Sequence, residues 1–314
     1  MKKKLIVLLG ILIVIVLCSL LISAFAGQKE DSGRKVTVVT SFYPMYVLAL
    51  NIVGDTPNVE VVNLTEPTTG CLHDYQLTAS DMMKLEDADI FIMNGGGMEN
   101  FIQKVIGAYP KLKVINASEG IEFLTSAGHD HGEESNEEEP EGEELNAHVW
   151  LNMDDYLRQI RTVEDALAEY DAGNAEAYRS NGETYRKAVE ALKKEMETAL
   201  AGAGETKIII FHDSFAYLAQ ELGLQVVHAV DMDSESSLNA GEIAEVVDEV
   251  KEEQVGILYT EEQFSTKIAD RVSKETGAKV YILDSIVNGA MSGDAYLNAM
   301  KENLKVLQES LITK

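Results

Sequence analysis

The strongest constraint on what this chain can fold into is a repeated alternation of short β-branched runs with helix-forming stretches, interrupted once by a long run of helix formers. Residues 36–40 (VTVVT), 59–64, 88–93 and 113–116 read as strands. Helices are expected over 43–53, 78–86 (capped by Thr78 or Ser80) and 98–109. The alternation resumes after Gly204, with strands over 207–211, 225–230, 256–260 and 280–283 and helices over 215–222, 240–252, 266–276 and 296–311. Strands separated by helices cannot pair as hairpins. They call for parallel sheets covered on both faces.

Between 154 and 200 the pattern is nearly all helix former, with polar interruptions at Asp171-Ala-Gly173 and Ser180-Asn-Gly182. Tyr178, Tyr185, Val189, Leu192, Met196 and Leu200 recur close to the helical period. One helix over 174–200 would reach about 40 Å, enough to run along a two-lobed molecule. The predicted architecture is therefore α/β. A first lobe covers 36–170, a linking helix 171–203 and a second lobe 204–314. No repeat between the halves is visible in the sequence.

A length of 314 residues suits two lobes better than one small core. The formal charge of −27 disfavours nucleic acid, which demands a basic face, and docking on anionic lipid. Lys2, Lys3 and Lys4 precede an apolar or small stretch over 5–27, so 1–27 reads as a secretory signal or an N-terminal membrane anchor. Ala24 and Ala26 offer an A-x-A-like cleavage site, while Leu17 before Cys18 departs from a lipidation motif. Residues 28–35 read as a polar tether, and everything beyond works outside the cytoplasm: secreted, periplasmic, or tethered to the outer face of the membrane. Two cysteines, Cys18 and Cys71, make no disulfide framework.

Residues 126–145 (SAGHDHGEESNEEEPEGEEL) carry eight glutamates and almost no apolar side chain, a segment that cannot bury a core. The ordinary reading is a solvated acidic loop. His129 and His131 at its start add imidazole beside carboxylate, a mix that suits weak collection of zinc.

None of the six histidines lies in a short metal motif, so position must carry the argument. His212 follows the strand KIIIF and Asp284 follows VYIL, and ligands of open α/β sheets gather beyond the C-terminal ends of parallel strands. His73 lies in the strand-end loop EPTTGCLHDY, and His148 in NAHVWLNMDD, just past the acidic run. Singly, each reads as a satisfied loop residue. Together, three imidazoles and one carboxylate would complete a tetrahedral zinc. His228, inside VVHAV, reads as structural. Cys71, two residues before His73, reads more readily as an inert thiol than as a ligand.

At these residues the chain resembles the zinc/manganese-binding solute receptors of ABC transporters, from about residue 35 to the C-terminus. The blocks are VTVVTSFYPMYVLALNIVG, HDYQLTASDMMKLEDADIFIMNGGGME, HVWLN, FHDSFAYLAQELGL, ILYTEEQFSTKIADRVSKETGAKV and LDSI, in the family's order. The resemblance implies two lobes, each with a mainly parallel four-stranded sheet, joined by one rigid helix with the ion between them. It implies a non-enzymatic monomer that delivers metal to a membrane permease, with His73, His148, His212 and Asp284 as ligands. Manganese-selective relatives tend to carry an acid at the position of His212, so the resemblance implies Zn²⁺ ahead of Mn²⁺. One departure is TTGCLHDYQLTASD in place of a P-H-x-x-E/D-P-S block, which leaves the roles of Cys71 and Asp74 open. Two readings from other classes are a secreted zinc hydrolase, in which Glu66, Asp74 or Asp213 would act as base, and a surface adhesin.

Overall fold

The apolar runs that read as strands pair into two parallel four-stranded sheets in the computed structural model, which describes residues 35–72, 75–126, 145–230, 239–261 and 266–312. In the first sheet, β1 (Val36–Thr40) lies between β2 (Val59–Asn63) and β3 (Ile90–Met93), with β4 (Lys113–Asn116) outside β3. Val38 is the register point, opposite Val61 on one side and Ile90 on the other. A two-residue antiparallel pair, β5 (Leu124–Thr125) with β6 (Leu145–Asn146), follows and had no counterpart in the sequence reading. It closes the two ends of the acidic segment against each other.

The second sheet places β7 (Lys207–Ile210) between β8 (Gln225–Ala229) and β9 (Ile257–Glu261), with β10 (Lys279–Leu283) outside β9. Both sheets thus run second–first–third–fourth in chain order, a repeat of topology that the sequences do not display. His228 lies on β8 and pairs with Glu249 at 2.7 Å, on the flank of the sheet, in keeping with a structural role.

Helices connect the strands, and one more closes the chain. In chain order they are α1 (Tyr43–Val53), α2 (Ala79–Glu86), α3 (Ile102–Ala108), α4 (Met153–Tyr170), α5 (Ala175–Ala199), α6 (Phe215–Leu222), α7 (Ala240–Glu252), α8 (Lys267–Thr276) and α9 (Ala295–Leu311). Thr78 caps α2 in a capping box with Asp81, as its sequence suggests. The helix expected over 98–109 starts later. Gly95, Gly96 and Gly97 all take positive φ, and Glu99 folds back to accept the N–H groups of Asn94 and Gly95, so 98–101 form a turn.

Helix α5 packs against α4, α1 and α9, and so touches elements from both halves of the chain. The interruption at 171–173 separates α4 from α5, but the one at 180–182 is helical. Asn181 donates to the carbonyls of Ile52 and Val53 at the end of α1, each at 3.1 Å. Gly182 lies where any Cβ would stand 2.2 Å from the Glu164 carboxylate, which pairs with Arg186. The polar residues that look like a break serve a close helix contact.

Residues 36–314 form one compact unit. A single buried apolar cluster includes Val38, Val39 and Phe91 of the first sheet and Ile208 and Ile210 of the second. Tyr156 of α4 stacks on Tyr296 of α9 at 3.9 Å, and Tyr43 donates to the Ala290 carbonyl at 2.8 Å. A second cluster lies on one face of the second sheet, where Ile209, Phe211 and Leu258 pack on Ile243, Val246 and Val272. Among the described residues no helix is long and apolar enough to cross a membrane. The expected signal or anchor (1–27), with Cys18, lies outside them, as do tether residues 28–34.

Candidate metal centre

Two of the expected ligands meet. His212 leaves the end of β7 two residues beyond Ile210, and His148 stands two residues beyond β6 at the start of a 3₁₀ turn (Val149–Leu151). Each is only 1% exposed, and their rings stand edge-to-face with centroids 4.9 Å apart. The histidine segment is fixed from both sides. Asn94, at the end of β3, donates to the Ala147 carbonyl at 2.8 Å, and Trp150 donates from Nε1 to the Ser285 carbonyl at 2.9 Å. Tyr296 of α9 donates to the Trp150 carbonyl at 2.9 Å. The Trp150 ring lies 5.2 Å from that of His148.

Hydrogen bonding sets the tautomer of His148. Asn146 gives its Nδ2 to the Asp213 carbonyl (2.8 Å), and its Oδ1 accepts the backbone N–H of His148 (3.1 Å) and stands 2.9 Å from His148 Nδ1. An amide oxygen only accepts, so Nδ1 carries the proton and the Nε2 lone pair is turned inward. That Nε2 lies 3.3 Å from Cys71 Sγ. On His212, Nδ1 lies 2.8 Å from Ser214 Oγ, a partner that can hold the ring with Nε2 toward the same point. Cys71, His148 and His212 each offer an atom within 4.8 Å of the others, a spacing that fits a single ion.

Carboxylates ring this trio. Asp213 Oδ1 lies 3.4 Å from His148 Nδ1 and 4.0 Å from His212 Nε2. Glu261 ends β9 beside His212, which follows β7, and these are the two strands where the order of the sheet reverses. Its Oε1 is 3.6 Å from His212 Nδ1. Burial pushes the Glu261 carboxyl above the usual range, against a downward pull from His212 and a hydrogen bond with Ser285. Asp284 follows β10 as expected, but the close trio does not include it. Its Oδ1 accepts the Ile286 N–H at 2.7 Å, and its own N–H donates to Asn303 at 2.8 Å. His73, Asp74, His129 and His131 lie outside the described residues.

Sequence reasoning missed Glu261, Asn146 and the place of Cys71. Glu261 was findable, because it ends a parallel strand as Asp284 follows one. Asn146 gave no signal, and Cys71 only its nearness to His73, since the role of each depends on which side chains the two sheets bring close. The base of the acidic segment also reaches this centre. Ser126 donates to Asp213 at 2.7 Å, and Tyr217 donates to the Asn146 carbonyl (2.7 Å) while accepting the Leu124 N–H (2.9 Å).

Residues 38–310 match the family described as ZnuA, zinc-uptake complex component A, periplasmic. The chain belongs to this family. A relative at 30% identity over 315 residues is the high-affinity zinc uptake system protein ZnuA of Bacillus subtilis, with 96% of this chain and 98% of that protein covered. The zinc-binding lipoprotein AdcA of Streptococcus pneumoniae is 29% identical over 302 residues, which cover 94% of this chain. This chain spans only 59% of the length of AdcA. Among solved structures, the SBP FpvC from Pseudomonas aeruginosa in complex with Mn²⁺ aligns with a TM-score of 0.78 at 25% identity, over 88% of this chain and 99% of that one. The two-lobed α/β fold of this ZnuA-family chain is thus that of metal-binding substrate receptors.

Proposed function

We propose that this chain is a solute-binding receptor that captures Zn²⁺ between its lobes outside the cytoplasm and delivers it to an ABC permease for uptake. The observation that carries the reading is the convergence of His148 and His212 from different halves of the chain, both buried and 4.9 Å apart. Two imidazoles held by outer hydrogen bonds suit a borderline-soft ion better than a hard one. The names of the ZnuA-family relatives support the same metal.

In this reading His73 and His148 from the first lobe (36–170) and His212 and Asp284 from the second (204–314) are the ligands, with 171–203 as the link. His129 and His131 in the acidic segment collect metal weakly and pass it on. A core shared by both sheets limits the motion between lobes to small tilts and loop shifts. A receptor cannot shift its own equilibrium, so release requires the permease to bind better to a state with the ligands apart. The leader holds the receptor at the outer face of the membrane or is removed.

Manganese is the second reading, favoured by the Mn²⁺ complex of the structurally similar FpvC. The test is metal content of protein purified without chelators, followed by competition of zinc against manganese. Zinc at one equivalent, lost in His148→Ala with circular dichroism unchanged, is the expected result. Unchanged zinc affinity in His148→Ala, measured against a competing chelator, refutes the site. Turnover of ester, peptide or phosphate substrates by the zinc-loaded protein would instead favour a hydrolase.

A further inference from the structure

Cys71 departs from the ligand set that the family resemblance implies. It lies in the loop after β2, half-buried, with Sγ 3.3 Å from His148 Nε2. Zinc bonds of about 2.3 Å to sulfur and 2.0–2.1 Å to nitrogen, at tetrahedral angles, put the two ligand atoms roughly 3.5 Å apart. The observed separation is close to that distance. The tautomer of His148 turns a lone pair, not an N–H, toward the sulfur, so the pair already has the polarity of two donors facing one cation.

The electrostatics of the surroundings agree. Glu261 is 2% exposed, and its Oε2 has no hydrogen-bond partner among the described residues although it stands beside His212. Asp213 adds a second carboxylate within 4 Å of both imidazoles. A buried carboxylate oxygen without a donor is costly unless positive charge lies close by. A divalent cation among Cys71, His148 and His212 supplies that charge, and it favours the thiolate form of the cysteine.

We infer that Cys71 is itself a ligand of the captured ion, so that the centre is a sulfur–nitrogen site for borderline and soft divalent cations. This rests on the receptor reading above and puts Cys71 in the place of one of its four ligands. Cys71, His148 and His212 fill three positions of a tetrahedral ion, and the fourth is left for one further donor such as Asp284. Thiolate strengthens the preference for zinc, cobalt and cadmium over manganese, which takes oxygen donors. Selectivity then comes from Cys71 as well as from His212.

The experiment uses the full chain loaded with Co²⁺ as a spectroscopic probe for zinc. The expected spectrum combines visible bands of tetrahedral cobalt with a near-ultraviolet thiolate-to-cobalt charge-transfer band. Cys71→Ser should abolish the charge-transfer band while visible bands persist. It should weaken zinc binding by on the order of 10–100-fold or more, since even an outer partner of a ligand costs that much. Manganese affinity should change little, so the zinc-to-manganese preference narrows. Zinc should also protect Cys71 of the wild type, read by peptide mapping apart from Cys18, from iodoacetamide. Wild-type cobalt protein with visible bands but no charge-transfer band overturns the inference and leaves the receptor reading intact. Failure of the wild type to bind either Co²⁺ or Zn²⁺ removes both. Should Cys71→Ser fold poorly, the wild-type spectrum and the alkylation result decide alone.

Discussion

Asn146→Ala is the substitution that tests most directly how the centre is held. Asn146 is 2% exposed and joins the two halves of the site, with one side-chain atom on His148 and the other on the carbonyl of Asp213, the neighbour of His212. Alanine strands two polar groups, the His148 N–H and the Asp213 carbonyl, and leaves the His148 Nδ1–H only the longer contact with Asp213 Oδ1 at 3.4 Å. Each buried group left without a partner costs about 1–3 kcal/mol. A water entering the vacated space restores part of that, for which a polar pocket of one side-chain amide has room. The expected net loss is about 2–4 kcal/mol. At ~2–4 °C per kcal/mol for a chain of this size class, the metal-free protein should melt about 5–15 °C lower. With the His148 ring no longer held in its tautomer, zinc affinity should fall by about 10–100-fold. Asn146→Asp separates positioning from packing. Its carboxylate still accepts from both His148 donors but gives nothing to Asp213, so affinity should recover while stability recovers only in part. The assays are thermal unfolding by circular dichroism in chelator and zinc competition against a chromophoric chelator. Zinc affinity in Asn146→Ala within about twofold of the wild type would refute the reasoning, as would an aspartate variant no better than alanine.

Three further outcomes are expected. Burial pushes the Glu221 carboxyl up to about 7, against pulls from the Met153 N–H and Lys193. The folded state therefore binds the extra proton between the unfolded value near 4.5 and about 7, and stability falls as pH rises through that window by on the order of 3 kcal/mol. Glu221→Gln should flatten this dependence in urea unfolding at pH 5 and pH 8, and parallel slopes for the two proteins would contradict it. Trp150→Phe deletes the donor to the Ser285 carbonyl and leaves a cavity beside His148, so a loss of about 2–4 kcal/mol by urea unfolding is expected; an unchanged midpoint would count against it. Tyr217→Phe removes the hydroxyl that joins Leu124 to Asn146, and amide exchange at Leu124 and Thr125 should accelerate while the first sheet stays protected.

Much of the fold was legible because it rests on local chemistry. The β-branched runs, the Thr78 capping box and the apolar period of α5 act within a few residues of themselves, so they can be read without knowing what they touch. Strand ends pointed to His212 and Asp284 for the same reason: groups that face a ligand gather where the strands of a parallel sheet stop. The reading failed where a residue serves a distant neighbour. The helix over 174–200 was read through Gly182 without the contact with Glu164 that requires a glycine there; 98–101 looked helical and is a turn folded around the Glu99 carboxylate.

The sequence by itself determined that this is an α/β chain in two halves, that its cations are outnumbered two to one by acids, and that histidines stand at its strand ends. Only the tertiary structure decided which of those side chains share one point in space. It put the Cys71 sulfur on His148, brought Glu261 beside His212, and tied Asp284 to the Ile286 N–H and to Asn303 of α9. The physical reason is that coordination depends on separations of a few ångströms between residues from 49 to 141 positions apart in the chain. No local preference encodes such distances; the packing of two sheets around one core sets them.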